Sequence, residues 1–175
     1  YNFIIIKKNG IKYKYNLIDV HFHLNSEHTF SGINTDLEMH MVHIKDLEYL
    51  KENKIKDLDR KNKNLVIGTL FKVDSFSDNI EFNKFNFGSR RIIKDLDLKQ
   101  YSNKDMIYYY YKGGLTTPNC NENVNWVVNA EPVSISLKQY FNVRKFITPV
   151  YSFGNNRKVQ ELFGRTIYYV NKNNK

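Results

Sequence analysis

Apolar positions along the chain follow the two-residue period of strands far more than the helical period of about 3.6. Residues 16–24 and 36–44 alternate in part, as strands do when one face is buried. Residues 65–73 form a near-continuous apolar run with Gly68 inside it, which suits a strand covered on both faces. Residues 106–111 are aromatic and extended, and 123–130 and 131–136 carry the Val, Trp and Ile that strands favour. One clear helix is expected at 137–145, with Ser136 as its N-cap and Leu137, Tyr140, Phe141 and Arg144 on one face. Residues 51–64 are mostly Lys, Asp, Glu and Asn, with Leu50, Ile55 and Leu58 as apolar points, and read as a short amphipathic helix or an insertion loop. Residues 171–175 read as a disordered tail. The expected fold is mainly β: one domain over residues 1–170, a mostly antiparallel sheet and few short helices.

Composition narrows this picture. A chain of 175 residues is long enough for one domain with a real core, and 41% hydrophobic and 15% aromatic residues exclude a disordered chain. A single Cys excludes an intramolecular disulfide and a Cys-rich zinc module. No apolar run approaches the roughly 18 residues of a membrane span, and residues 3–6 are too short for a signal-peptide core. The net charge is +9, but 23 Asn, 21 Lys and a single Ala are the bias an AT-rich genome writes. Scattered Lys on a solvated surface carries little functional weight, and without a basic-aromatic recognition motif no nucleic-acid partner is expected. The chain opens on Tyr1 rather than Met, as a processed chain, a cut chain or a fragment does.

The histidines change the picture most. All five, His21, His23, His28, His40 and His43, fall within 23 residues. His21 and His23 are spaced i, i+2, so on a strand both rings point to one side, and His40 follows on a second strand-like segment after turn signals at Ser31, Gly32 and Asn34. Two adjacent strands then bring three imidazoles to one point, the donor set of a catalytic zinc site with an open fourth position. Asp19 shares the face of His21 and His23, and Glu38 that of His40, so each supplies an acceptor for the outer nitrogen of a ligating ring. Ile18, Val20, Phe22 and Leu24 point the other way, into a core. His28 and His43 lie off this pattern and read as hydrogen-bonded or surface residues.

The stretch through His21-Phe22-His23, Ser26-Glu27-His28-Thr29 and Glu38-Met39-His40-Met41-Val42-His43 resembles the zinc-binding region of alpha-type carbonic anhydrases. A second stretch, from Tyr111 through Gly113-Gly114-Leu115-Thr116-Thr117-Pro118 to Glu122, Val124 and Trp126, resembles a second signature of that family. Weaker matches lie at 65–68, 131–136 and 157–168. The resemblance implies a large twisted, mostly antiparallel sheet with zinc at the base of a conical cleft, and the reversible hydration of carbon dioxide to bicarbonate and a proton through a zinc-bound hydroxide. It implies His21, His23 and His40 as zinc ligands and Asp19 and Glu38 as their outer acceptors. Thr116 is implied as the gatekeeper hydroxyl that donates to Glu27. Val42, Val66, Leu115, Val124 and Trp126 are implied as the apolar wall for carbon dioxide, and Thr117 as a contact for bicarbonate and for sulfonamide or anion inhibitors.

The departures are specific. The resemblance begins well inside the fold, so the family's N-terminal third, with its usual proton-shuttle histidine, has no counterpart here. Asp19 stands where the family usually has a neutral amide, Leu24 replaces an aromatic, and Gly114 and Asn119 replace Ser and a second Pro. Secreted relatives pair a Cys at the Cys120 position with an N-terminal Cys, so Cys120 does not establish a reducing compartment. The composition also resembles the eta-class carbonic anhydrases of malaria-type parasites, for which a His, His, Gln ligand set has been proposed. Gln100, Gln139 and Gln160 lie far from the histidine cluster, so His40 stands as the third ligand. The rival expectation is a catalytically silent relative binding glycans or another acidic partner through its basic surface.

Overall fold

The computed structural model describes residues 3–88, 96–102, 107–148 and 154–171. Its first hairpin joins β1 (Phe3–Lys8) to β2 (Ile11–Leu24) through Asn9 and Gly10, both at positive φ. Asn-Gly is the strongest two-residue hairpin signal, because both central residues of a type I′ turn need that conformation. β1 is a strand the alternation pattern did not predict. A short hairpin of β3 (Thr29–Phe30) and β4 (Ile33–Asn34) leads to β5 (Leu37–Lys45), then α1 (Leu47–Glu52) and β6 (Asn64–Ser75). The rest of the chain supplies β7 (Ile107–Gly113), β8 (Val124–Asn129), β9 (Val133–Ser136), α2 (Leu137–Ile147) and β10 (Tyr168–Asn171). Two 3-10 turns, Phe82–Lys84 and Leu98–Tyr101, complete the elements.

One sheet carries the order β1-β2-β5-β6-β8-β7-β10, with β9 also pairing β6. The β6–β8 and β6–β9 pairs are parallel and the other pairings of this sheet are antiparallel. The expected mainly β, mostly antiparallel architecture is therefore what the chain adopts. Asn171, expected in a disordered tail, closes β10 opposite Ile107 instead, while residues 172–175 lie outside the described residues, as does Met106.

Packing imposes three local corrections. A β-bulge lies between Leu17 and Asp19, where β2 changes phase against β5. Tyr15 and Leu17 pair with Lys45 and His43, on the sheet face of Met39 and Met41, whereas Asp19, His21 and His23 occupy the opposite face. An extra residue in one strand does this by breaking the ladder and re-aiming the side chains beyond it. Ile18 sits at the irregularity and is 59% exposed rather than buried, while Phe22 and Leu24 enter the core as expected.

In α2 the buried residues are Gln139, Val143 and Ile147, and Leu137 and Phe141 face solvent. The helix is set by a full capping box, in which Ser136 accepts from the Gln139 backbone and Gln139 returns a bond to Ser136. That use of Gln139, with its amide also bonded to Asn79 and Asn83, turns its face inward. In the 51–64 region, α1 starts earlier, at Leu47. It is capped by Asp46 and buries Leu50, and residues 53–63 form a loop held by Lys45 bonding Asp57 and the Asp59 carbonyl.

The two faces of the sheet carry separate cores. The back cluster joins Phe22, Leu37, Met39, Met41, Ile67 and Phe71 to Phe82, Ile135 and Val143. The front cluster is Val66, Leu70, Val124, Trp126 and Val128, with Val42 and Leu115 packed against it. The front face carries the site.

Candidate metal centre

Strand register builds the site in three rows. The first pairs His23 with Glu38 and Leu70. The second runs His21, His40, Gly68, Val128, and the third Asp19, Val42, Val66, Trp126. Cross-strand neighbours in a row share one face, so this register alone places three imidazoles beside two carboxylates and an apolar wall.

One ring nitrogen from each of His21, His23 and His40 lies within 4.8 Å of the others. Their outer nitrogens are engaged separately. His21 Nδ1 donates to Asp19 Oδ2 at 2.5 Å, His23 Nδ1 to the Asn155 carbonyl at 3.2 Å, and His40 Nε2 to Glu38 Oε1 at 2.8 Å. These partners fix the tautomers and leave the inner nitrogens as lone-pair donors. His23 Nε2 and His40 Nδ1 stand 3.2 Å apart, close to the roughly 3.3 Å edge of a nitrogen tetrahedron around zinc at about 2.0–2.1 Å. The donor set therefore fits zinc.

A second grouping, His28, Glu38 and His40, is equally close in space but already saturated. Glu38 Oε2 accepts from the backbones of Glu27 and His28 at 2.8 and 2.9 Å, and Oε1 from His28 Nδ1 at 2.6 Å as well as from His40. Burial opposes the Glu38 charge, but His28 and His40 outweigh it and hold the carboxyl well below the usual range. His28 feels burial downward and Glu38 upward, and Glu38 prevails. His28 also bonds the Tyr111 hydroxyl at 2.7 Å, so it locks Glu38 in place. His43 bonds the Met41 carbonyl on the other face and takes no part.

Burial, reinforced by His21, pushes His23 down to about 4 and keeps it a neutral donor at pH 7. His40 is lowered by burial too. The Trp126 ring lies edge-on to His40 at 4.8 Å and to His28 at 4.9 Å, while its Nε1 donates to the Gly114 carbonyl. Gly68 is required here, because a Cβ on it would lie 2.8 Å from Glu38 Oε1.

The other side of the site comes from loops. Thr116, half-buried, and Glu27 border one cavity of about 340 Å³ that also reaches Tyr111, Cys120 and Arg157. Glu27 Oε1 accepts from the Arg157 backbone at 2.7 Å, while Oε2 is buried with no hydrogen-bond partner among the described residues. Thr116 and Glu27 are thus brought to one cavity without a bond between them. Val66, Val124 and Trp126 are buried in the front core, Val42 and Leu115 keep partial exposure beside them, and Thr117 is exposed.

Asn155 and Arg157 were not singled out from sequence. Asn155 bonds the Leu24 amide and the Phe22 carbonyl through its side chain and His23 through its own carbonyl. Gly154 before it adopts φ +104°, and a Cβ there would meet the Leu24 carbonyl at 2.9 Å. These residues act largely through backbone atoms about 130 positions away in the chain, and no periodicity marks them.

Fold and site together define a β-sheet protein with a three-histidine candidate metal centre. A model of the eukaryotic-type carbonic anhydrase family matches residues 2–171, and the chain belongs to that family. It is 32% identical to putative carbonic anhydrase 5 of Caenorhabditis elegans over 94% of this chain, and 29% identical to alpha carbonic anhydrase 4 of Arabidopsis thaliana over 93%. It spans 57% of the length of each. Among solved structures it is similar to the alpha-carbonic anhydrase of Thermovibrio ammonificans in complex with the inhibitor sulfanilamide, with 32% identity and a TM-score of 0.68 over 95% of this chain and 70% of that one. A halotolerant carbonic anhydrase of Dunaliella salina gives 25% identity and a TM-score of 0.72 over 94% and 64%. No helix among the described residues is long and apolar enough to cross a membrane.

Proposed function

We propose that the protein is a zinc-dependent carbonate dehydratase that interconverts carbon dioxide and bicarbonate. The observation that carries this reading is the convergence of three inner ring nitrogens whose outer nitrogens are each held by a different acceptor, in a chain of the carbonic anhydrase family. His21, His23 and His40 would hold the zinc. When bound, zinc acts as a Lewis acid and lowers the pKa of a bound water to about 7.

The chain's own residues do the rest. Glu27 Oε2 lacks a hydrogen-bond donor among the described residues and lines the same cavity as Thr116, so it would accept a hydrogen bond from the Thr116 hydroxyl. A threonine hydroxyl has one proton, so giving it to Glu27 leaves the Thr116 oxygen an acceptor toward the reacting centre. Val42, Val66, Leu115, Val124 and Trp126 exclude water and offer carbon dioxide an apolar surface. Thr117, at the exposed edge, contacts bicarbonate, and sulfonamides or small anions compete there. Stopped-flow hydration of carbon dioxide by the zinc-loaded intact protein tests this, with a sulfonamide as control. Sulfonamide-sensitive hydration is expected. Stoichiometric zinc and bound sulfonamide without hydration would overturn catalysis in favour of the binding-only reading.

A further inference from the structure

The three candidate ligands are not held alike. His23 and His40 have side chains only 5% and 2% exposed, and the Glu38 carboxylate that steadies His40 is fully buried. The His21 side chain is 35% exposed, and its partner Asp19 is 56% exposed. Among the described residues His21 otherwise meets its neighbours ring against ring, at 5.0 Å from His23 and 5.2 Å from His40. Asp19 lies directly after the bulge, where the strand is least regular.

A metal held by three ligands leaves stepwise, and the first bond to open belongs to the ligand with somewhere to go. His23 has none, because Asn155 clamps its outer nitrogen and the strand backbone on both sides of it. His40 has none, because Glu38 is fixed by four donors. His21, 35% exposed, can rotate into solvent once its bond to Asp19, the one hydrogen bond of its ring among the described residues, breaks.

Resting on the zinc reading above, we propose that metal enters and leaves through His21, and that Asp19 is the positioning residue holding that ligand closed. Asp19 does so twice over: its acceptor oxygen selects the Nδ1–H tautomer of His21, and its charge strengthens the ring as a donor. An amide at the same place would keep the first effect and lose the second.

The test compares the intact protein with its D19N and D19A forms. Zinc release into excess chelator is timed, and the His21 ring nitrogens are read by ¹⁵N NMR in the metal-free proteins. D19A should release zinc about 10- to 100-fold faster, the range typical of lost outer partners. D19N should fall between D19A and the wild type. The metal-free wild type and D19N should show one His21 tautomer and D19A a mixture. Wild-type release rates in D19A, or an unchanged His21 tautomer in it, would overturn the proposal while leaving the zinc site standing. A wild-type protein that takes up no zinc would overturn both readings together.

Discussion

The two halves of the site are built by different means. The strand half, on β2 and β5, is tied down by side-chain bonds: Glu38 takes four donors and His28 bridges it to Tyr111. The loop half, residues 114–123 with 154–157, leans on backbone atoms, and the buried Glu27 oxygen it faces has no hydrogen-bond partner among the described residues, its contact with His40 being 3.9 Å. A saturated network in a low-dielectric interior is rigid, and disturbing it costs stability. A buried carboxylate oxygen without a hydrogen-bond donor costs folding energy, and beside a cavity it stays open to a new donor. The strand half should therefore govern metal and stability together, and the loop half turnover alone.

The largest effect should come from His40→Ala. It removes a buried inner nitrogen and one of the four donors to the Glu38 carboxylate, so zinc affinity should fall by more than the roughly 100-fold that loss of an outer partner costs. Metal analysis after dialysis reads this, and full zinc occupancy would break the comparison. Thr116→Ala should lower kcat by roughly 100- to 1,000-fold, as loss of one oriented hydrogen bond does. It should change stability by no more than about 0.5 kcal/mol, with Thr116→Ser recovering most of the rate. A large loss of stability in T116A would place the loop half among the folding elements.

Gly68→Ala should destabilise by about 1–3 kcal/mol, since the new methyl meets a carboxylate that cannot retreat. Urea unfolding measures it, and a neutral result would mean that Glu38 is looser than its bonds imply. The strand half should also fail first in acid. His23 is lowered from 6.5 to about 4, so its contribution is fully present above 6.5 and is lost as pH falls toward 4. Glu38, lowered from 4.5, acts in the same direction at lower pH. Stability of the metal-free protein should decline steadily below pH 6.5, and His23→Gln should flatten the upper part of that decline. The smallest effect belongs to Arg157→Ala, below about 0.5 kcal/mol, because the Arg157 backbone nitrogen bonds Glu27 while, among the described residues, its guanidinium reaches just the Leu115 carbonyl at 3.4 Å.

Much of the strand half could be read along the chain. The i, i+2 spacing of His21 and His23 and the matching faces of Asp19 and Glu38 come from strand period, and the register sets His21 opposite His40. The reading failed where period breaks. The bulge put Ile18 outside, and Gln139 turned α2 so that Val143 rather than Phe141 was buried. Hydrophobic pattern ranks faces by apolarity, and it has no means of knowing that a capping amide will be satisfied inward. Thr116 and Glu27 were reached by resemblance rather than by physical pattern.

Sequence alone was enough for the mainly β, mostly antiparallel class, for the two histidine-bearing segments and for the kind of donor they carry, because side-chain direction in a strand is a local property of the backbone. It was not enough for Asn155 on His23, for Arg157 on Glu27 or for the close approach at Gly154. Each of those contacts uses the backbone of the last segment, which every residue possesses, across about 130 positions. Only the folding of the last segment against β2 selects which carbonyl and which amide arrive.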